Sequence, residues 1–231
     1  MQADSSPFKI ILGSSSIARR KILAEMGYEF TLMSADIDEK SIRKDKPEEL
    51  VMALAEAKAD AITSKLHSLN NPEGSESAIL IAADTAGAIS QKLPLGDYTK
   101  DAVEPTLLIT ADQVVVYEGA VREKPSSKEE AWEFIKGYSG RQAATVSSVL
   151  ATNLKTGIRK GGWDRVEIFF HEIPDETIEK LIEEGNVLYV AGALIIEHPL
   201  ILPLVKDVMG TTDSVMGLPK ALTEKLIKEV L

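Results

Sequence analysis

The chain contains no cysteine, which excludes a disulfide scaffold, thiolate-ligated zinc and a thiol nucleophile, and fits a reducing compartment. Only three histidines occur, His67, His171 and His198, and none stands at the spacing of a metal motif or of a Ser/His/Asp constellation. Each is expected in a loop or on the surface. Aromatic residues are scarce at 5%, so Trp163 and the other few are expected in the core rather than as a base-stacking platform. Positive charge is in the minority: 26 Lys and Arg face 36 Asp and Glu, for a formal charge of −10. That balance counts against a nucleic-acid binder driven by counter-ion release and against a polybasic membrane anchor. Long hydrophobic runs are missing too. The apolar residues 10–12 stop at Gly13, too early for a signal-peptide core, and no stretch approaches the roughly 18 residues of a membrane span. A cytoplasmic protein is expected.

What is present is ordinary globular material: 231 residues, 44% apolar and 27% charged, enough to bury a sizeable core. Residues 10–12 read as a buried strand running into a serine-rich turn and a helix over 17–26, closed by Gly27. A second strand is expected over 28–33, and a long helix from Pro47 to about Leu66. Strands follow over 78–82 and 107–117, separated by an irregular stretch too long for an average connection. Ser127 and Glu130 have the spacing of a capping box for a helix ending at Gly137. Alternating patterns over 145–151 and at Val166, Ile168 and Phe170 mark two successive strands. A helix over 174–184, a buried apolar run over 190–196 and an amphipathic helix over 219–230 complete the chain. Strands and helices alternate, yet two strands in succession occupy the middle, so the expected class is α/β with a mixed sheet.

Three stretches could carry chemistry. Gly13-Ser14-Ser15-Ser16-Ile17-Ala18-Arg19-Arg20 joins strand to helix. Free N–H groups, hydroxyls and a guanidinium one turn in suit a phosphate, but a serine cap followed by surface arginines would read the same. Lys58 falls in the apolar series Leu50, Leu54, Ile62, Leu66; it is either a lysine whose stem covers the core edge or an ammonium aimed into a cleft. Asp112 lies inside the apolar strand 107–117, where an unpaired carboxylate costs several kcal/mol. It suits a metal ligand, a general base or a salt-bridge partner of Lys124, which Pro125 would present at the start of the next helix. Asp84, in a similar Ala-Ala-Asp-Thr setting, is expected to be a turn or cap.

Taken in order, these pieces resemble the Maf family of nucleoside triphosphate pyrophosphatases over nearly the whole chain. The resemblance rests on Leu12-Gly13-Ser14-Ser15-Ser16 with Arg19, Asp36-Ile37-Asp38-Glu39, Ala55-Glu56-Ala57-Lys58-Ala59, Ala111-Asp112-Gln113, Glu123-Lys124-Pro125, Tyr138-Ser139-Gly140, Val190-Ala191-Gly192 and Gly217-Leu218-Pro219. It implies a single domain over residues 1–231 with an insertion at about 84–106, a mixed twisted sheet with flanking helices, and a central phosphate-binding cleft. It implies hydrolysis of a nucleoside triphosphate to monophosphate and pyrophosphate with a divalent cation (Mg²⁺ or Mn²⁺), and a homodimer. It selects Asp112 over Asp84 as the catalytic base, also a metal ligand together with Glu39. Arg19, Lys58 and Lys124 would clamp the phosphates, with Ser14 and Ser16 completing the cradle.

Four positions depart from the family pattern, the first three in ways that bear on the base. Ala18 stands where the first of two arginines usually falls, Gln113 where many members have threonine, and Glu197 where they have glutamine; Val190 also replaces a lysine. The glutamine and glutamate resemble the branch associated with 7-methylguanosine triphosphate. A carboxylate can accept guanine N1–H and N2–H₂ side by side, whereas an amide suits uracil or thymine. The rival expectations are dTTP/UTP specificity, a non-catalytic nucleotide-binding regulator of cell division, and transfer to an acceptor other than water.

Overall fold

A computed structural model describes residues 7–70 and 104–231. The strand expected over 78–82, Asp84 and almost all of the expected insertion lie outside the described residues. Seven strands form one mixed sheet in the order β2-β1-β3-β5-β6-β7, with β4 paired to β3 off that path. They are β1 (Lys9–Gly13), β2 (Thr31–Leu32), β3 (Thr106–Tyr117), β4 (Ala120–Arg122), β5 (Gln142–Asn153), β6 (Arg159–Phe170) and β7 (Val205–Met209). β1 runs parallel to β2 and β3, while β3, β5, β6 and β7 are antiparallel in succession.

The helices are α1 (Ile17–Glu25), α2 (Pro47–Asn70), α3 (Lys128–Tyr138), α4 (Asp175–Glu184), α5 (Thr212–Val215) and α6 (Lys220–Val230). Alternation along β3 and β5 sorts them onto two faces. Leu108, Val114 and Val116 of β3 meet Leu54, Ala55, Ala59 and Ile62 of α2. Leu107, Ile109 and Ala111 meet α1 and α6 on the other face. Further along that face, Val115 and Tyr117 meet α3 and α4. Burying a Leu, Ile or Val in this way stabilises the fold by about 1.5–3 kcal/mol each, and β3 and β5 contribute to every one of these layers.

Several expectations are corrected. The strand expected over 28–33 shrinks to β2, because Tyr28 turns away to donate to Glu224 Oε2 at 2.7 Å and to pack its ring 5.9 Å from Phe8. Pro125 does not start a helix. α3 begins at Lys128, with Ser127 Oγ accepting from Glu130 N at 3.1 Å, and ends at Tyr138 rather than Gly137. The Glu130 carboxylate reaches back to Ser126 N at 2.5 Å, one residue earlier than a capping box requires. Trp163 is 49% exposed on β6, not in the core. The run expected to be buried over 190–196 is only partly so: it holds the short turn Ala191–Ala193, preceded by the turn Asn186–Tyr189, and of its residues Gly192, Ala193 and Ile196 are buried.

Candidate active-site cleft

β1 and β3 run side by side only as far as Gly13 and Thr110, and β4 joins β3 only from Val115. Between these pairings, residues 111–114 of β3 lack a strand on the side away from β5. The sheet has a notch at the carboxyl end of β1, where open α/β sheets take ligands. A cleft of about 610 Å³ fills it, within the range of small-molecule sites.

Local packing aims the polar groups into this notch. Gly13 permits a close approach: a Cβ there would sit 2.7 Å from the side-chain methyls of Ile62 of α2 and of Thr110, which would have to shift. The close approach lets Thr110 Oγ1 donate to Ala55 O at 2.8 Å and Ser148 Oγ donate to Val51 O at 2.7 Å. Two hydroxyls from the sheet therefore fix the rotation of α2, and Lys58, one turn beyond Ala55, points at Asp112. Lys58 Nζ donates to Asp112 Oδ1 at 2.5 Å and lies 2.8 Å from Glu39 Oε1. The Lys58 and Asp112 side chains are only 12% and 11% exposed. The strand carboxylate is thus paired, but with Lys58 rather than Lys124. Burial pushes the Glu39 carboxyl up, and the hydrogen bond and charge of Lys58, aided by Lys124 and Arg19, more than offset it, leaving Glu39 below 4.5.

Arg19 is buried, not a surface arginine. Its Nε donates to Gly217 O at 2.9 Å and its Nη1 to Ala111 O at 3.0 Å, the carbonyl that the notch leaves without a strand partner. Nη1 also reaches Ser14 Oγ at 3.3 Å. Burial pulls the guanidinium below its ordinary value, while Asp112 and Glu39 hold it up. Arg19 is a strut across the cleft floor, with Nη2 free of described hydrogen bonds. Ser16 caps α1 by accepting from Arg19 N at 3.4 Å, and Ser14 Oγ accepts from Ser16 N at 3.2 Å. The serine turn is both a helix cap and a cleft wall. Arg20 instead donates to Ser15 O at 2.9 Å.

Ser14, Ser16, Ala18, Arg19, Glu39, Lys58, Asp112, Gln113, Lys124 and Glu197 all line the one cleft. They do not form one cluster. Gln113, on the opposite face of β3 from Asp112, directs its amide nitrogen to Ser147 Oγ, Ser214 O and Val215 O at 2.7–3.1 Å. It pins α5, which the sequence reading missed. Glu197 is exposed and makes none of the described hydrogen bonds or ion pairs. The neighbouring His198 anchors its segment: Nδ1 accepts from Leu200 N, so Nε2 carries the proton toward Glu184 Oε2 at 2.8 Å.

The far wall also has a residue with no freedom. Gly192, at φ +60°, donates its N–H to Glu123 O at 2.9 Å and accepts from Tyr138 Oη at 2.8 Å. A Cβ there would lie 2.6 Å from Val115. The turn at Ala191–Ala193 is thereby locked to the strand end that carries Lys124. Tyr138, buried beneath it, has its phenol pushed up to about 12 by burial.

The family model for Maf-like proteins matches residues 9–230. The chain belongs to the Maf family. Relatives include the 7-methyl-GTP pyrophosphatase of Dictyostelium discoideum, 34% identical over 221 residues and 96% of each chain. The nucleoside triphosphate pyrophosphatase of Salinispora tropica is 27% identical over 98% of this chain and 85% of its own. The dTTP/UTP pyrophosphatase of Bacillus velezensis is 29% identical over 96% of each. The mixed open sheet with flanking helices is consistent with the Maf fold. Among the described residues, no helix is long and apolar enough to cross a membrane.

Proposed function

We propose that this Maf-family chain hydrolyses a nucleoside triphosphate to the monophosphate and pyrophosphate, with 7-methyl-GTP as the favoured substrate. The observation that carries the reading is the pair Lys58–Asp112, a nearly buried acid and base held at the notch between a serine turn, Arg19 and Lys124. Lys58 holds Asp112 Oδ1, and Oδ2 accepts none of the described hydrogen bonds. In the proposed reaction a water gives its proton to that carboxylate as its oxygen attacks the α-phosphorus. The bond from the α-phosphorus to the bridging oxygen breaks, and pyrophosphate leaves with the electron pair. Lys58, Lys124 and Arg19 Nη2 supply positive charge where negative charge grows, and Ser14, Ser16 and the first N–H groups of α1 orient the phosphates.

The donor set fits a hard divalent cation. Glu39 and Asp112 have only oxygen to offer and lie close together, bridged by Lys58 Nζ at their Oε1 and Oδ1 atoms, so an ion held by them would share these carboxylates with the ammonium. Among the described residues no three His, Cys, Asp or Glu are grouped to hold an ion alone. An ion at Glu39 and Asp112 would complete its shell with phosphate oxygens and water, as Mg²⁺ commonly does. When bound, it would neutralise phosphate charge and polarise the attacked phosphorus.

The base end supports the purine reading. Glu197 is a carboxylate at the cleft that makes none of the described ion pairs, suited to the adjacent donors of guanine and to the positive charge of an N7-methylated ring. The similarity to the 7-methyl-GTP pyrophosphatase of Dictyostelium discoideum points the same way. Purified chain, Mg²⁺ and a panel of nucleoside triphosphates with pyrophosphate detection test this directly. Release of pyrophosphate fastest from 7-methyl-GTP is expected; no release from any nucleotide would leave only a binding role.

A further inference from the structure

Of the large apolar side chains that the described residues expose, the two most exposed, Ile17 at 80% and Tyr189 at 77%, both line the cleft. The scarcity of aromatics suggested that all of them serve the core, and Tyr189 contradicts that. It ends the turn Asn186–Tyr189, just before the wall that Gly192 locks in place. Its hydroxyl makes none of the described hydrogen bonds. Apolar Leu194 and Ile195, between Tyr189 and Glu197 along the chain, line the same cleft. An aromatic ring left in water on the lining of the cleft is accounted for if a flat ligand covers it.

We infer that Tyr189 is the base-stacking and specificity-determining residue of the cleft, its ring covering a cationic N7-methylated purine whose edge Glu197 reads. The inference rests on the nucleotide reading above and adds the face that chooses among purines. Any base stacks on a phenol ring, but a positively charged ring is drawn further to the electron-rich face. Glu197 accounts for guanine over a pyrimidine and sets a negative charge near the methylated ring; Tyr189 adds the ring face that favours methylated over unmethylated guanine.

The test compares wild type, Tyr189→Phe and Tyr189→Leu in two ways. Steady-state pyrophosphate release is measured on 7-methyl-GTP and GTP, and binding of the products 7-methyl-GMP and GMP is measured by calorimetry. Tyr189→Leu is expected to weaken the methylated ligands by roughly tenfold, and the unmethylated ones by no more than about threefold, with kcat little changed. Tyr189→Phe keeps the ring face and is expected to match wild type. Equal effects on both purines, or none on either, would overturn the assignment. A wild-type chain that turns over no nucleotide would end the hydrolase reading, and the calorimetric arm would still decide Tyr189.

Discussion

Replacing Asp112 by asparagine keeps the side chain's size and its Oδ1 acceptor but removes the charge that faces Lys58 and Arg19. Stripping one partner from a buried ion pair costs about 3–5 kcal/mol. Two features reduce that here. Glu39 stays 2.8 Å from Lys58 Nζ, and the new amide oxygen still accepts from the ammonium. An expected loss of about 1–2 kcal/mol remains, which for a chain of this size lowers Tm by about 2–8 °C. Turnover is a separate quantity. If Asp112 takes the proton from the attacking water, kcat falls by about 10²-fold or more, while KM, set by the cations and the base wall, moves little. The assay is pyrophosphate release at saturating nucleotide, beside thermal melting of the same preparation. A kcat within about threefold of wild type would remove Asp112 from the mechanism. A fall in kcat with Tm lowered beyond about 15 °C would mark the carboxylate as a structural support instead.

The remaining predictions concern the groups around it. Lys58→Met leaves Asp112 and Glu39 facing each other with no ammonium between them, so the stability loss should exceed that of Asp112→Asn, at about 3 kcal/mol. In wild type, Glu39 is held below 4.5, so its contribution is present above that pH and fades as pH falls through its lowered value. Melting temperatures between pH 6 and pH 3 should lose this slope in Lys58→Met. Glu197→Gln should leave Tm unchanged and shift preference from methylated guanine toward pyrimidine triphosphates; an unaltered substrate ranking would exclude a base-reading role. Tyr138→Phe removes the hydrogen bond to Gly192 O at 2.8 Å, and should cost about 1–2 kcal/mol at neutral pH. Because the folded Tyr138 phenol is pushed up to about 12 from 10.0, its stabilisation is complete below pH 10 and fades above it. Alkaline melting should therefore fall less steeply in the variant.

Much of the site was legible along the chain because its parts sit where periodicity breaks. An acid inside an apolar strand and a lysine inside an apolar helix face each demand a partner, and each turned out to be the other's. The residue that performs a structural task is harder to read. Gln113 looked like a base-facing amide, yet its nitrogen is engaged by Ser147, Ser214 and Val215, because an element 100 residues later folds under it. Tyr189 passed as a core aromatic, since a lone tyrosine among turn residues shows no period.

Amino-acid order alone determined the strands and helices with a strong 2 or 3.6 repeat, the caps at Ser16 and Ser127, and the choice of Lys58 and Asp112 as charges that must be satisfied. Only the tertiary structure decided that β1 stops short of residues 111–114, that Arg19 spans the opening, and that Lys58 rather than Lys124 pairs with Asp112, with Glu39 sharing the ammonium. The physical reason is distance along the chain. A repeat is set by neighbours a few residues apart, whereas a notch in a sheet exists only once strands of unequal length are laid side by side.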